Sequence, residues 1–491
     1  VAQLTDEQVR QIASQVAGLL NQADSSAASK ETSSQQGYDN SPQSYPDESQ
    51  GFGVFGSVDA AVKAAEKSAV VLRAMDLKAR GKIIASIRSK MLEFAEELAR
   101  MANEETGMGR TSDKLKKNLL VTETTPGPEM LKPIAYTGDH GLALEERAPF
   151  GVIGAITPST NPTSTIICNS IGMISAGNSV VFNVHPSARN VSLYNVELIN
   201  RAIQEVGGPP NIVTTIANPT IESAQELMVH PGVRLLTVTG GIGVVRAAMG
   251  SGKRAICAGP GNPPVVVDET ADIEHAAKSI VAGASLDNNV ICIDEKEIFV
   301  VESVADQLLA AFQRHNAYVM KPHEIEQLEK VIFKETRGSR KPAVMNGKYI
   351  GKNVQVILGE IGIHLEDRIR VAIAPVAVGH PLVWSEQMMP IIPLVRMPNV
   401  DQAIDVAKEA EHGFRHTAIM HSKNIDALDR MARVMDCSIF VKNGPSTAGI
   451  GYGGEGFCSF TIASPTGEGL TGPHTFTRER RCVLVDHFRI V

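Results

Sequence analysis

The amino-acid sequence predicts an α/β protein, with a doubly wound domain, a second α/β domain and a C-terminal arm. Three observations carry that reading. Apolar runs at residues 152–156, 180–184, 212–216, 235–238 and 265–267 alternate with helix-like segments, as parallel strands joined by crossover helices do. A second such series starts at Glu297, and the last thirty or so residues hold only a polar turn and one strand-like run. At 491 residues the chain is about three times the ~150-residue domain prior, so two or three domains are expected.

Residues 1–20 form a unit of their own. Thr5 and Gln8 make a capping-box pair, and Val9, Ile12, Ala13, Val16, Ala17 and Leu20 repeat at three- and four-residue spacing. This predicts a short amphipathic helix. Its polar face, Gln11, Ser14, Gln15 and Gly18, carries too little positive charge for a membrane surface and suits a groove on a protein. Residues 21–51 are dominated by Ser, Gln, Asp and Pro and have no aliphatic core residues. They are expected to be a disordered tether with an r.m.s. reach of roughly 30 Å.

Globular patterning begins near Phe52, and residues 58–103 read as two helices rich in Ala, Lys and Glu. The first domain is expected over 52–290. The second, over 291–460, has strands near 298–301, 392–395, 418–420 and 439–441 and helices between 305 and 333. Residues 461–491 are expected to be an oligomerisation arm, with a turn at 465–469 and a strand at 482–485.

Composition narrows the function. Forty-seven Lys and Arg stand against 54 Asp and Glu, for a net charge of −7, which gives no electrostatic case for nucleic acid or anionic lipid. No apolar stretch approaches the ~18 residues of a membrane span. Six cysteines (168, 257, 292, 437, 458 and 482) lie far apart without a C-x-x-C pair, which fits reduced cytosolic thiols and no metal site. Asp6 and Glu7 stand where a secretory signal needs a basic start.

Several motifs fail on context. Gly449-x-Gly451-x-x-Gly454 matches a dinucleotide fingerprint but precedes no helix, and Gly250 to Lys253 lacks the first Gly and the Ser/Thr of a phosphate loop. His323-Glu324 lacks the second His of a zinc-protease helix. The Gly240-Gly241 turn ends an apolar run and opens a helix; alone it reads as a simple Gly-rich strand-to-helix turn, the alternative being that its free N–H groups meet a phosphate. By composition alone Cys292 is a core thiol in a loop.

Taken together, residues 156–162 (Ile-Thr-Pro-Ser-Thr-Asn-Pro), Gly240-Gly241, Gly261-Asn262-Pro263-Pro264, Cys292 and residues 386–390 (Glu-Gln-Met-Met-Pro) resemble the aldehyde dehydrogenase superfamily in order and spacing. The resemblance covers about residues 52–491. Residues 105–109, 157–162, 261–269, 287–292 with Glu295-Lys296, 440–445 and 465–469 resemble the CoA-acylating aldehyde dehydrogenases of bacterial microcompartments in particular.

That resemblance implies an aldehyde dehydrogenase-like fold and NAD-dependent oxidation of propionaldehyde, or else acetaldehyde, to the acyl-CoA. It implies Cys292 as nucleophile. An oxyanion hole is implied from the Cys292 N–H and an Asn amide, taken as Asn161 because Thr160, at the usual position, offers only a hydroxyl. Thr157, Pro158, Gly240, Gly241 and Glu386 are implied to bind the cofactor, Glu386 through the nicotinamide ribose. The water-activating Glu of the hydrolytic branch is replaced by Ala258, so CoA is the implied acyl acceptor. Asn183 stands where many relatives carry a Lys at the adenine ribose, and NAD is favoured over NADP. His185, His416 and His421 are read as structural. A homodimer or homotetramer, docking of residues 1–20 on a microcompartment shell or core protein, and a cytoplasmic location inside that compartment complete the expectation.

Overall fold

A computed structural model describes residues 52–491; the expected helix at 1–20 and tether at 21–51 lie outside the described residues. The first sheet has six parallel strands in the spatial order Val54–Phe55, Val213–Ile216, Ser179–Asn183, Val152–Ile156, Val233–Thr239 and Ala255–Ala258. Its central strands are buried from end to end, which is why they read as continuous apolar runs. The period of two is still at work: Ile153 and Ala155 enter one core with Ile83 and Phe182, while Val152 and Ile156 enter another with Val58 and Leu236.

The second sheet has seven parallel strands in the order Ala317–Val319, Val371–Pro375, Ile391–Met397, Glu297–Val301, Pro264–Val267, Thr417–His421 and Ile439–Lys442. Pro264–Val267, expected in the first series, pairs here with Glu297–Val301 and Thr417–His421. The chain therefore crosses between sheets within residues 259–263, ahead of the expected boundary at 290. Periodicity cannot detect this, because a buried parallel strand reads the same in either sheet. Ala317–Val319 and Val371–Pro375 were not foreseen, one being three residues long and the other ending in Pro.

Residues 58–106 form three helices where two were expected, Val58–Ala74, Leu77–Glu93 and Ala95–Thr106. Asp76 caps the second through the Ala79 N–H at 2.7 Å. The C-terminal strand Thr477–Val485 lies antiparallel to Gly141–Pro149, which pairs in turn with Ile134–Gly138. Among the described residues no helix is long and apolar enough to cross a membrane.

Candidate active site

Thr157 and Pro158 follow the strand Val152–Ile156, and Gly240 and Gly241 follow its neighbour Val233–Thr239, where Ile156 is paired with Val238. From this pair the sheet grows in opposite directions, to Ser179–Asn183 and to Ala255–Ala258. A crevice outside the carboxyl ends at such a reversal is where doubly wound sheets take ligands. The residues present fit a dinucleotide. The helix Ile242–Gly250 has no side-chain cap at Gly241, and a β-carbon on Gly241 would meet nothing within 4 Å. Phosphate oxygens can reach its free N–H groups there. The Thr157 hydroxyl is buried without a hydrogen-bond partner among the described residues.

A chain of contacts links the Gly240 turn to Cys292. Gly240 N–H donates to the Ala258 carbonyl at 3.1 Å, and three residues on, Gly261 N–H donates to Glu386 Oε1 at 3.2 Å. A β-carbon on Gly261 would lie 2.5 Å from the Cys292 carbonyl oxygen and 3.1 Å from the His416 ring. Glycine is thus required where three chain segments converge. Burial, and after it the charge of Glu386, push the Cys292 thiol up to about 12. Burial likewise raises the Glu386 carboxyl.

Cys292 is delivered by an unusual loop. Asp287, Asn288 and Asn289 have successive φ values of 47°, 58° and 66°, a left-handed run that Asn and Asp tolerate better than other side chains. Each is anchored. Asp287 takes the Arg110 N–H at 2.8 Å, Asn288 donates to the Gly351 carbonyl at 2.8 Å, and Asn289 donates to the Ala284 and Glu295 carbonyls at 3.0 Å. Lys296 donates to both the Asn289 carbonyl and its Oδ1 at 2.7 Å. Asp294 closes the turn by accepting the Ile291 N–H at 3.1 Å.

Asn161 stands at the N-cap position of the helix Pro162–Ser175 without a side-chain capping hydrogen bond and is 7% exposed. Its Oδ1 accepts from Lys117 Nζ at 2.7 Å, and its Nδ2 donates to Thr160 Oγ1 at 3.1 Å. Lys117 also pairs with Asp287, as does Lys114 at 3.0 Å. Asn161 and the nucleophile loop are therefore tied through one buried ammonium.

A profile described as "Aldehyde dehydrogenase family" matches residues 56–457. The chain belongs to the aldehyde dehydrogenase family. It is 49% identical over 440 residues to the acetaldehyde dehydrogenase (acetylating) EutE of Salmonella typhimurium, covering 89% of this chain and 94% of that one. Among solved structures it is similar to a propionaldehyde dehydrogenase of Rhodopseudomonas palustris with bound CoA and an acylated cysteine. There the identity is 49% and the TM-score 0.86, over 89% of this chain and 98% of that one. A propionaldehyde dehydrogenase from the fucose utilisation bacterial microcompartment of Clostridium phytofermentans matches with 47% identity and a TM-score of 0.86 to 0.87, over 89% and 100% of the two chains.

In this aldehyde dehydrogenase the histidines sit as follows. His416 is buried, meets Thr417 Oγ1 at 2.8 Å, and is pushed down to about 4 by burial. His421 is buried and lowered to about 4 for the same reason. His185 is exposed and caps the turn Pro186–Ala188, its Nδ1 accepting the Ser187 N–H at 3.2 Å. Asn183 Oδ1 accepts from the Ser223 hydroxyl at 2.5 Å.

Sequence reasoning missed two charged groups. Lys117 stands in a Lys-rich helix that reads as a solvated face, yet it is 3% exposed. Glu468, in the turn after Pro465, has its carboxylate beside Cys257: burial, then the Glu468 charge, push that thiol up to about 11. Thr466 Oγ1 accepts the Cys257 N–H at 3.0 Å, which shows how the turn lies against the strand carrying Ala258. Ala258 itself is 1% exposed, and the residues on either side of it, Cys257 and Gly259, supply no carboxylate.

Proposed function

We propose that this aldehyde dehydrogenase is CoA-acylating and NAD-dependent, oxidising a short aliphatic aldehyde, propionaldehyde first and acetaldehyde second, to its acyl-CoA. One observation carries the choice of acceptor: the chain has a buried methyl, Ala258, where hydrolytic relatives carry the base that water needs. A thiol needs less help, because its pKa near 8.5 leaves a useful thiolate fraction at neutral pH. The resemblance to an acetylating acetaldehyde dehydrogenase and to a propionaldehyde dehydrogenase with bound CoA supports the same reading.

In this reading the Cys292 thiol gives its proton to solvent and the thiolate sulfur attacks the aldehyde carbon, the C=O π electrons moving to oxygen to give the thiohemiacetal oxyanion. The oxyanion takes hydrogen bonds from the Cys292 N–H and the Asn161 amide. Thr157 and Pro158 would line the cofactor crevice, Gly240 and Gly241 would let the pyrophosphate approach the helix end, and Glu386 would accept from a ribose hydroxyl. When bound, NAD supplies the hydride acceptor that takes the substrate to the oxidation level of a thioester. Cys292 then holds the acyl group until CoA sulfur attacks its carbonyl carbon and the Cys292 thiolate leaves. A single methylene in the substrate is worth only about 1–3 kcal/mol in an apolar pocket, so both aldehydes are accommodated.

Residues 1–20 dock on a microcompartment shell or core protein, placing the enzyme inside that compartment in the cytoplasm. Residues 461–491 join subunits into a homodimer or homotetramer. The decisive experiment follows NADH from propionaldehyde and from acetaldehyde with and without CoA, with products identified by mass spectrometry. NADH formation that requires CoA and yields acyl-CoA supports the reading; stoichiometric free acid without CoA overturns it.

A further inference from the structure

The ammonium of Lys117 bridges the Asn161 amide and the loop that carries Cys292, and nothing in the proposed mechanism uses it. Its Nζ is 2.7 Å from Asn161 Oδ1 and is also paired with Asp287. Lys117 and Lys114 are 3% and 2% exposed and Asp287 is fully buried, so water does not compete for these contacts. Both lysines meet the one Asp287 carboxylate, and burial pushes the Lys117 ammonium down to about 8, so it is mainly protonated at pH 7. Lys114 Nζ reaches the Thr160 carbonyl at 3.4 Å as well, so the backbone just before Asn161 is held by the second ammonium.

We propose that Lys117 is a positioning residue for the oxyanion hole: it fixes the Asn161 amide with Nδ2 turned to the substrate and ties that amide to the nucleophile loop through Asp287. The inference rests on the acyl-transfer reading given above. Its chemistry is simple. An ammonium has donors and no acceptor, so the amide atom facing it must be oxygen. A flipped amide would set NH₂ against NH₃⁺ and turn an acceptor toward the developing oxyanion.

The one Nδ2 hydrogen not engaged by Thr160 Oγ1 remains for the substrate. The ammonium also draws charge onto Oδ1 and makes that N–H a stronger donor. Because Asp287 is the first of the three left-handed residues leading to Cys292, the Lys117–Asp287 ion pair, beside that of Lys114, links the amide to the loop that carries the thiol. A link of this kind matters, since a displacement of about 1 Å can cost about 10²-fold in rate.

The test separates reactions that develop an oxyanion at Cys292 from one that does not. Alkylation by iodoacetamide is a displacement at a CH₂ group and needs only an accessible thiol. Acylation by propionyl-CoA passes through a tetrahedral oxyanion. In Lys117→Met, alkylation of Cys292 is expected to stay within about twofold of wild type at every pH from 7 to 9.5. Acyl-enzyme formation from propionyl-CoA is expected to fall about 10²-fold, the scale of losing one oxyanion donor. In turnover, kcat should fall while the KM for propionaldehyde changes little. Lys117→Arg, which keeps a cation, should recover at least tenfold of the acylation loss.

Equal acylation in wild type and Lys117→Met overturns the proposal. So does an equal loss of alkylation and acylation, which would make Lys117 a support of the loop alone. Should Lys117→Met not fold, Asp287→Asn replaces it, with the same split between the two reactions expected and the same two outcomes overturning. A wild-type protein that is alkylated at Cys292 but never acylated there overturns the functional reading and this inference together, whereas acylation of both proteins removes only the latter.

Discussion

Gly261 stands so close to Cys292 that a β-carbon on it would sit 2.5 Å from the Cys292 carbonyl oxygen. The same residue gives its N–H to Glu386. A backbone oxygen cannot swing aside as a side-chain tip can, so Gly261→Ala must displace the nucleophile segment or the strand end. The expected result is a loss of kcat/KM of about 10²-fold for propionaldehyde, by the sensitivity of rate to misplacement, in a variant that still folds. Steady-state kinetics beside a thermal melt checks this, and near wild-type activity would show that the segment yields freely.

Glu386 bears on Cys292 through charge. Burial and then the Glu386 carboxylate hold the thiol up to about 12. The thiolate fraction, and with it the alkylation rate, should therefore rise about tenfold per pH unit between pH 7 and 9. Removing a nearby anion favours the charged thiolate, so Glu386→Gln lowers the thiol pKa. Iodoacetamide labelling at pH 8 should become roughly three- to tenfold faster, a shift of about half to one pK unit. The Kd for NAD should rise in the same variant, because the ribose loses its charged acceptor. Slower labelling in Glu386→Gln would contradict the electrostatic assignment.

The proposed choice of acyl acceptor rests on Ala258. Ala258→Glu is expected to release propionic acid from propionaldehyde and NAD without CoA, at the expense of propionyl-CoA, since a carboxylate would supply the base that water lacks. The products are separated by chromatography after a fixed yield of NADH. A folded, NAD-binding variant that forms no more acid than wild type would remove the main support for that account.

Residues 1–20 are expected to be dispensable for chemistry. Deleting them, or combining Ile12→Glu with Val16→Glu, should leave kcat and KM within about twofold while moving the enzyme from the compartment fraction to the soluble fraction, since charges on the apolar face abolish groove docking. A drop of several degrees in Tm or a loss of activity in vitro would instead assign residues 1–20 to the catalytic body.

Much of the architecture was readable in the chain because the forces that specify it are local. The strands Val152–Ile156, Ser179–Asn183 and Val233–Thr239 announce themselves as apolar runs, since burial on both faces leaves no polar positions. Cys292, Asn161, Glu386 and the Gly240-Gly241 turn are expected as a set because their order and spacing resemble a known family, and their roles are what the proposed experiments address. The assignment of Pro264–Val267 to the second sheet was not legible, because strand pairing is a long-range choice that leaves no trace in local periodicity. Nor could composition place Lys117 and Lys114 in the interior, where Asp287, 170 and 173 residues away in sequence, receives both. Lysines are almost never fully buried without a partner, and the partner becomes visible only once the helix Thr111–Thr124 is packed against the nucleophile loop. The sequence by itself determined which groups could do the chemistry. Tertiary structure decided which of them meet, because the desolvated ion pairs that hold the site are made between segments far apart in the chain.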